Sequence, residues 1–103
     1  MKKLDVDDLL ANPKNGTERV AVCYFLLMTC PDIEKHENKL LFYLWEMCRE
    51  LDKIDESLWD ESKELAKRIS TQENVPFFAD NLKWMDKQLS GVQAYAQTME
   101  GVH

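Results

Sequence analysis

VAVCYFLLM, residues 20–28, is an unbroken run of nine apolar residues in a chain otherwise dense in charge. It admits three readings: a membrane segment, a buried strand, or the central helix of a small core. A spanning helix needs roughly 20 apolar residues, and this run gives way to Thr29, Cys30 and Pro31. Periodicity does not separate strand from helix where every position is apolar. Val20, Val22, Cys23, Tyr24 and Phe25 lean toward strand. Leu26, Leu27 and Met28, a cap at Thr17 and Glu18 in the first turn lean toward helix. No second strand is available for pairing, so Thr17 to Met28 is expected to form a buried central helix.

The rest of the chain supports a helical surround. With 103 residues it has the length of one domain, and residues 1–103 are read as a single helical domain. Only three glycines and three prolines occur, so turns are few and elements long. Asp5 can cap a short helix over residues 6–11, which stops at the turn-forming NPKNG of residues 12–16. Pro31 suits the first turn of the next helix. Leu40, Leu44, Met47, Leu51 and Ile54 recur at alternating intervals of four and three, with Leu41, Trp45 and Cys48 widening the stripe. The pattern continues through Leu58, Leu65 and Ile69, but Asp55 and Ser57 offer fresh caps and predict a break there. STQENVP, residues 70–76, reads as a polar loop. Beyond it, Phe78, Leu82, Met85, Leu89, Val92, Ala96 and Met99 form a seam fit to pack along a neighbouring helix. The expected fold is all-α: a compact bundle of about four main helices with a short N-terminal one.

Charge is concentrated in one part of the chain. Residues 31–64 hold eleven acids and five bases and carry the whole net charge of −6. An acidic helix pair of this kind is either a solvated face or a surface for a basic protein partner. Direct nucleic-acid binding is disfavoured, because phosphates would be repelled and no basic stripe compensates. The residues expected to meet a partner are Phe42, Asp52, Asp55, Glu56, Asp60, Glu61 and Glu64. Phe42 belongs there because it falls opposite Leu40 and Leu51 on the helix, outside the core stripe, and an aromatic on a charged rim can anchor an interface. A second aromatic stripe of Phe77, Trp84 and Tyr95, with Gly91 between the last two, predicts either packing against two neighbours at once or self-association as a homodimer.

Motifs for catalysis are scarce. Two histidines and no Gly-rich or nucleophile turn argue against triad chemistry and phosphate cradles. Cys23, Cys30 and Cys48 lie in apolar surroundings without zinc spacing and read as reduced, buried thiols. Neither a metal nor a cofactor is expected. DESKE, residues 60–64, resembles the EExxE half of the all-helical nucleotide pyrophosphohydrolases. That resemblance would imply a carboxylate–Mg²⁺ enzyme using Asp60, Glu61 and Glu64, with Glu46 and Glu50 on the preceding helix. The family's matching ExxD is missing, since the last helix offers only isolated Asp80 and Asp86.

The N-terminus places two lysines before three aspartates and a turn, the wrong order for a signal peptide, so a cytoplasmic protein is expected. The function expected from these features is that of a small acidic helical binding protein of inhibitor, immunity or adaptor type. Its partner would be a protein with a basic surface, and neither a membrane nor nucleic acid.

Overall fold

The computed structural model describes residues 3–52 and 56–100, with side chains throughout these except at Glu56 and residues 91–100. Among the described residues there are five α-helices and no strand. They are α1 (Val6–Ala11), α2 (Gly16–Thr29), α3 (Glu37–Leu51), α4 (Glu56–Glu73) and α5 (Ala79–Glu100), with a 3-10 turn at Ile33–His36 before α3. This is the all-α bundle that the sequence predicts.

The run that decides the fold lies in α2, at the centre. Val20, Ala21, Val22, Tyr24, Phe25, Leu27 and Met28 are all buried, and Cys23 and Leu26 are half-buried. A helix without a polar face is stable only where neighbours cover its circumference. Here α4 and α3 take the two longest sides, while α1 and the start of α5 cover the remainder. Among the described residues no helix is long and apolar enough to cross a membrane.

Local chemistry sets most of the helix ends. Asp5 caps α1 through its side chain, as expected, accepting from Asp8 N. The cap of α2 is not Thr17 but Asn15, two residues earlier, whose Oδ1 accepts from Glu18 N at 2.9 Å. Asn is as good a cap as Thr or better, and starting the helix at Gly16 frees Glu18 to accept from Lys14 N at 2.9 Å. Pro31 does not enter α3. It forces Cys30 into an extended conformation (φ −77°, ψ 118°), and Asp32 turns the chain in the left-handed region at φ 56° before α3 begins. A break does separate α3 from α4, between Leu51 and Glu56. Ser57 lies inside α4 and is not its cap, and Asp55 lies outside the described residues.

The expected loop over residues 70–76 is half helix. α4 runs on to Glu73 and stops at Asn74, which adopts φ 57°. Val75 N donates to Ser70 O at 3.0 Å and Asn74 N to Thr71 O at 3.3 Å, a Schellman closure in which Asn stands where glycine is usual. Thr71 and Glu73 continue the helix at the surface, while the Ser70 hydroxyl donates to Val75 O and the Gln72 amide holds the N-terminal segment, accepting from Leu4 N at 2.9 Å and donating to Leu4 O at 2.7 Å. The stop signal was Asn74-Val75-Pro76.

Two interfaces organise the bundle. Against α2, α4 presents small residues: Ser62 and Ala66 are fully buried, as is Ala21. Ser62 Oγ lies 3.2 Å from Thr17 O, so the two backbones approach closely. The C-terminal end of α2 is closed by α5. Phe78 N donates to Met28 O at 2.8 Å, and the buried Asn81 amide donates to Leu27 O and Cys30 O at 2.8 and 2.7 Å. These bonds satisfy carbonyls that a helix end leaves without partners.

Candidate partner-binding surfaces

Helix α3 divides its apolar residues in two. Leu40, Leu44 and Met47 are buried against α2. Leu41, Phe42 and Trp45 are exposed, at 38%, 58% and 59%. Phe42 therefore stands in solvent as its position on the helix predicts. Leu41 and Trp45 do not widen the core stripe. They extend Phe42 into a contiguous apolar surface, because residues three and four apart are neighbours on a helix. The Arg49 guanidinium sits over the Trp45 ring at 5.2 Å while pairing with Glu46 at 3.2 Å. The Phe42 and Tyr43 rings are tilted at 6.2 Å. This patch continues into a groove of about 460 Å³ lined by Asn38, Leu41, Trp45 and Cys48 of α3 and by Gln88 of α5.

The predicted acids fall into three groups. Asp60 and Glu64 lie on the solvent face of α4, paired with Lys63 at 3.4 Å and Lys67 at 3.6 Å. Exposed pairs of this kind contribute little stability, but they do offset local charge. Asp52, at the C-terminal cap of α3, and Glu61 are exposed and in no ion pair among the described residues. Asp55 and the Glu56 side chain lie outside the described residues.

Sequence reasoning missed a second acidic group. Asp32, Glu34 and Asp80 line a cleft of about 470 Å³ with Ile33, Phe78 and Trp84, where the 3-10 turn meets α5. These carboxylates are exposed and make no ion pair among the described residues. Asp32 and Glu34 were visible as charge, but their convergence on Asp80 depends on the docking of α5 under the end of α2.

The aromatic stripe of the last helix is partly accounted for within the chain. Phe77 meets Tyr24 edge-on at 5.6 Å, and both Phe77 and Trp84 pack against the core. The side chains of Gly91 and Tyr95 lie outside the described residues. The apolar seam of this helix buries Met85 and half-buries Leu89, but leaves Phe78 and Leu82 exposed at 37% and 42%. It is therefore not a closed seam over its described part: α5 meets α2 near the C-terminal end of α2, and Phe78 and Leu82 fall off that contact.

No group of three or more His, Cys, Asp or Glu among the described residues is arranged to hold a metal ion. Glu50 turns inward toward Arg19 at 3.8 Å, and Glu46 pairs with Arg49, so neither joins the α4 carboxylates. The three cysteines are free and half-buried. Burial, with Glu46 and Glu50 nearby, pushes the Cys23 thiol up to about 11. Burial also raises Cys48, making both poor nucleophiles near neutral pH. In comparisons with known proteins, no family model, no curated protein and no solved structure matches the chain.

Proposed function

We propose that this chain is a helical binding protein that engages a protein partner with a basic surface, with Phe42 and Trp45 as apolar anchors. The observation that carries this reading is the exposed run Leu41–Phe42–Trp45 beside the fully used core stripe of α3. Large contiguous apolar surface on a folded domain marks an interaction site, and aromatic side chains supply most hot spots. The acids concentrated in residues 31–64, Asp52, Asp55, Glu56, Asp60, Glu61 and Glu64 among them, supply the steering field. The partner, on this reading, is inhibited, sequestered or adapted by being covered.

The test is capture from lysate of the source cell by the intact chain at low and high salt. The Phe42→Ala/Trp45→Ala double variant and the Asp60→Lys/Glu61→Lys/Glu64→Lys variant run alongside. One specific partner should be lost with the aromatic pair, and its retention should fall with salt and with charge reversal. A partner kept by both variants at high salt would move the site elsewhere, and no partner at all would overturn the reading.

A further inference from the structure

We propose that the partner's contacting element is a basic amphipathic helix that lies in the groove between α3 and α5 and places a cationic side chain in the Asp32–Glu34–Asp80 cleft. This rests on the binding reading above and specifies its geometry.

The groove has the dimensions of a helix seat. Leu41, Trp45 and Cys48 recur at intervals of four and three along its α3 wall. From Asn38 to Cys48 that wall runs about 15 Å, at 1.5 Å per residue. A partner helix offering apolar residues at i, i+4 and i+7 spans about 10 Å and fits within it. Two helices standing apart leave a concave apolar track that a third fills by interlocking side-chain ridges.

The cleft and the groove are two parts of one surface. Asp80, Trp84 and Gln88 are spaced by four on α5, so they share a face and step about 6 Å along it each time. Asp80 and Trp84 line the cleft, and Gln88 lines the groove. A helix seated by its apolar face in the groove therefore points one end at the cleft. Three carboxylates converge there, and no Lys or Arg lines it. A guanidinium is the complementary group, since its planar fork pairs with carboxylates and its face stacks on an indole such as Trp84. A second copy of this chain is the poorer occupant: it brings the same carboxylates and a net charge of −6 to meet another −6.

The probe is a synthetic helical peptide with leucines at i, i+4 and i+7 and arginines at one end, in two versions that carry them at either terminus, beside controls with glutamates in place of the arginines. Each is titrated into the isotopically labelled full chain by NMR. At least one arginine peptide should shift resonances of Leu41, Trp45 and Cys48 together with Asp80, Trp84 and Gln88, and the glutamate peptides should not. Affinity should fall about tenfold or more, as for a hot spot, in Trp45→Ala and in Asp32→Asn/Glu34→Gln/Asp80→Asn. It should be unchanged in Asp7→Asn/Glu73→Gln, which removes two exposed carboxylates of α1 and α4 away from both the groove and the cleft. Shifts centred on α4, equal binding by arginine and glutamate peptides, or indifference to Trp45→Ala would overturn the inference. So would a dimer in sedimentation that Phe42→Ala or Trp45→Ala dissolves. A lysate partner captured through Phe42 and Trp45 but not displaced by either arginine peptide would refute the helix while leaving the binding reading intact.

Discussion

The α2–α4 and α3–α5 sides of the bundle differ in how fully the helices close on each other. Between α2 and α4 stand Ala21, Ser62 and Ala66, each fully buried, a side-chain hydroxyl reaches the opposite backbone at 3.2 Å, and Tyr24 meets Trp59 edge-on at 5.3 Å near the start of α4. Between α3 and α5 stand Leu41, Trp45 and Gln88, and a groove of about 460 Å³ remains. Small residues let backbones approach until no surface is left over. Where no helix closes over them, large residues such as Leu41 and Trp45 leave part of themselves in solvent. The closed side leaves nothing to a partner, and the open side is where the chain has surface to offer.

The sharpest test lies within one helix. Leu40→Ala should destabilise by about 2–5 kcal/mol, since it empties a site that is 1% exposed. Trp45→Ala, five residues on and 59% exposed, should change stability by only about 0.5 kcal/mol despite removing a larger side chain. Urea denaturation of both variants checks this, and equal losses would dissolve the distinction between the covered and uncovered faces of α3. The next effect in size comes from forcing the closed side open. Ala66→Leu should cost about 1–3 kcal/mol by overpacking α2 against α4, read as a fall in thermal midpoint. A neutral result would mean that α4 has room to move away from α2.

Smaller effects sharpen the account of how α2 is held. Asn15→Ala should cost about 1 kcal/mol through loss of the cap, whereas Thr17→Ala should cost only a few tenths. The reverse order would return the helix start to Thr17. An effect confined to alkaline pH follows from Cys23. Its thiol is raised by burial and by Glu46 and Glu50 from an ordinary 9.0 to about 11. The folded state therefore holds its proton more tightly than the unfolded state does. That contribution is fully present below pH 9 and is lost as pH rises from about 9 to 11. The raised Tyr24 and Cys48 act in the same sense. Denaturant midpoints should decline over this window, and Cys23→Ala should make the decline shallower. An identical decline in that variant would assign it to other groups.

Legibility followed the range of the forces involved. Asp5 as a cap, the position of the α3–α4 break and the exposure of Phe42 could all be read from neighbours within a turn or two, where helix chemistry acts. Thr17 and the loop at residues 70–76 were misread because two local signals competed. Asn15 outranks Thr17 by lying earlier with equal chemistry, and a polar stretch carries a helix to Asn74 as readily as it forms a loop. Leu41 and Trp45 were misread for a different reason. Helical spacing gives the width of an apolar stripe, but not how much of it a neighbour covers. The candidate site was legible in Phe42 and in the acid excess of residues 31–64. Its other members, Asp80, Trp84 and Gln88, belong to a helix distant in sequence.

What the sequence determined by itself was the class of fold and its centre. A run of nine apolar residues too short to span a membrane and without a strand to pair with has to become the buried middle of a helical bundle. Which apolar residues stay uncovered depends instead on how the helices dock. The docking of α5 under the end of α2, through Asn81 and Phe78, fixes how far α5 stands from α3. That distance comes from packing between segments about fifty residues apart. No local pattern encodes it, because each helix carries the same stripe whether or not a neighbour closes over it.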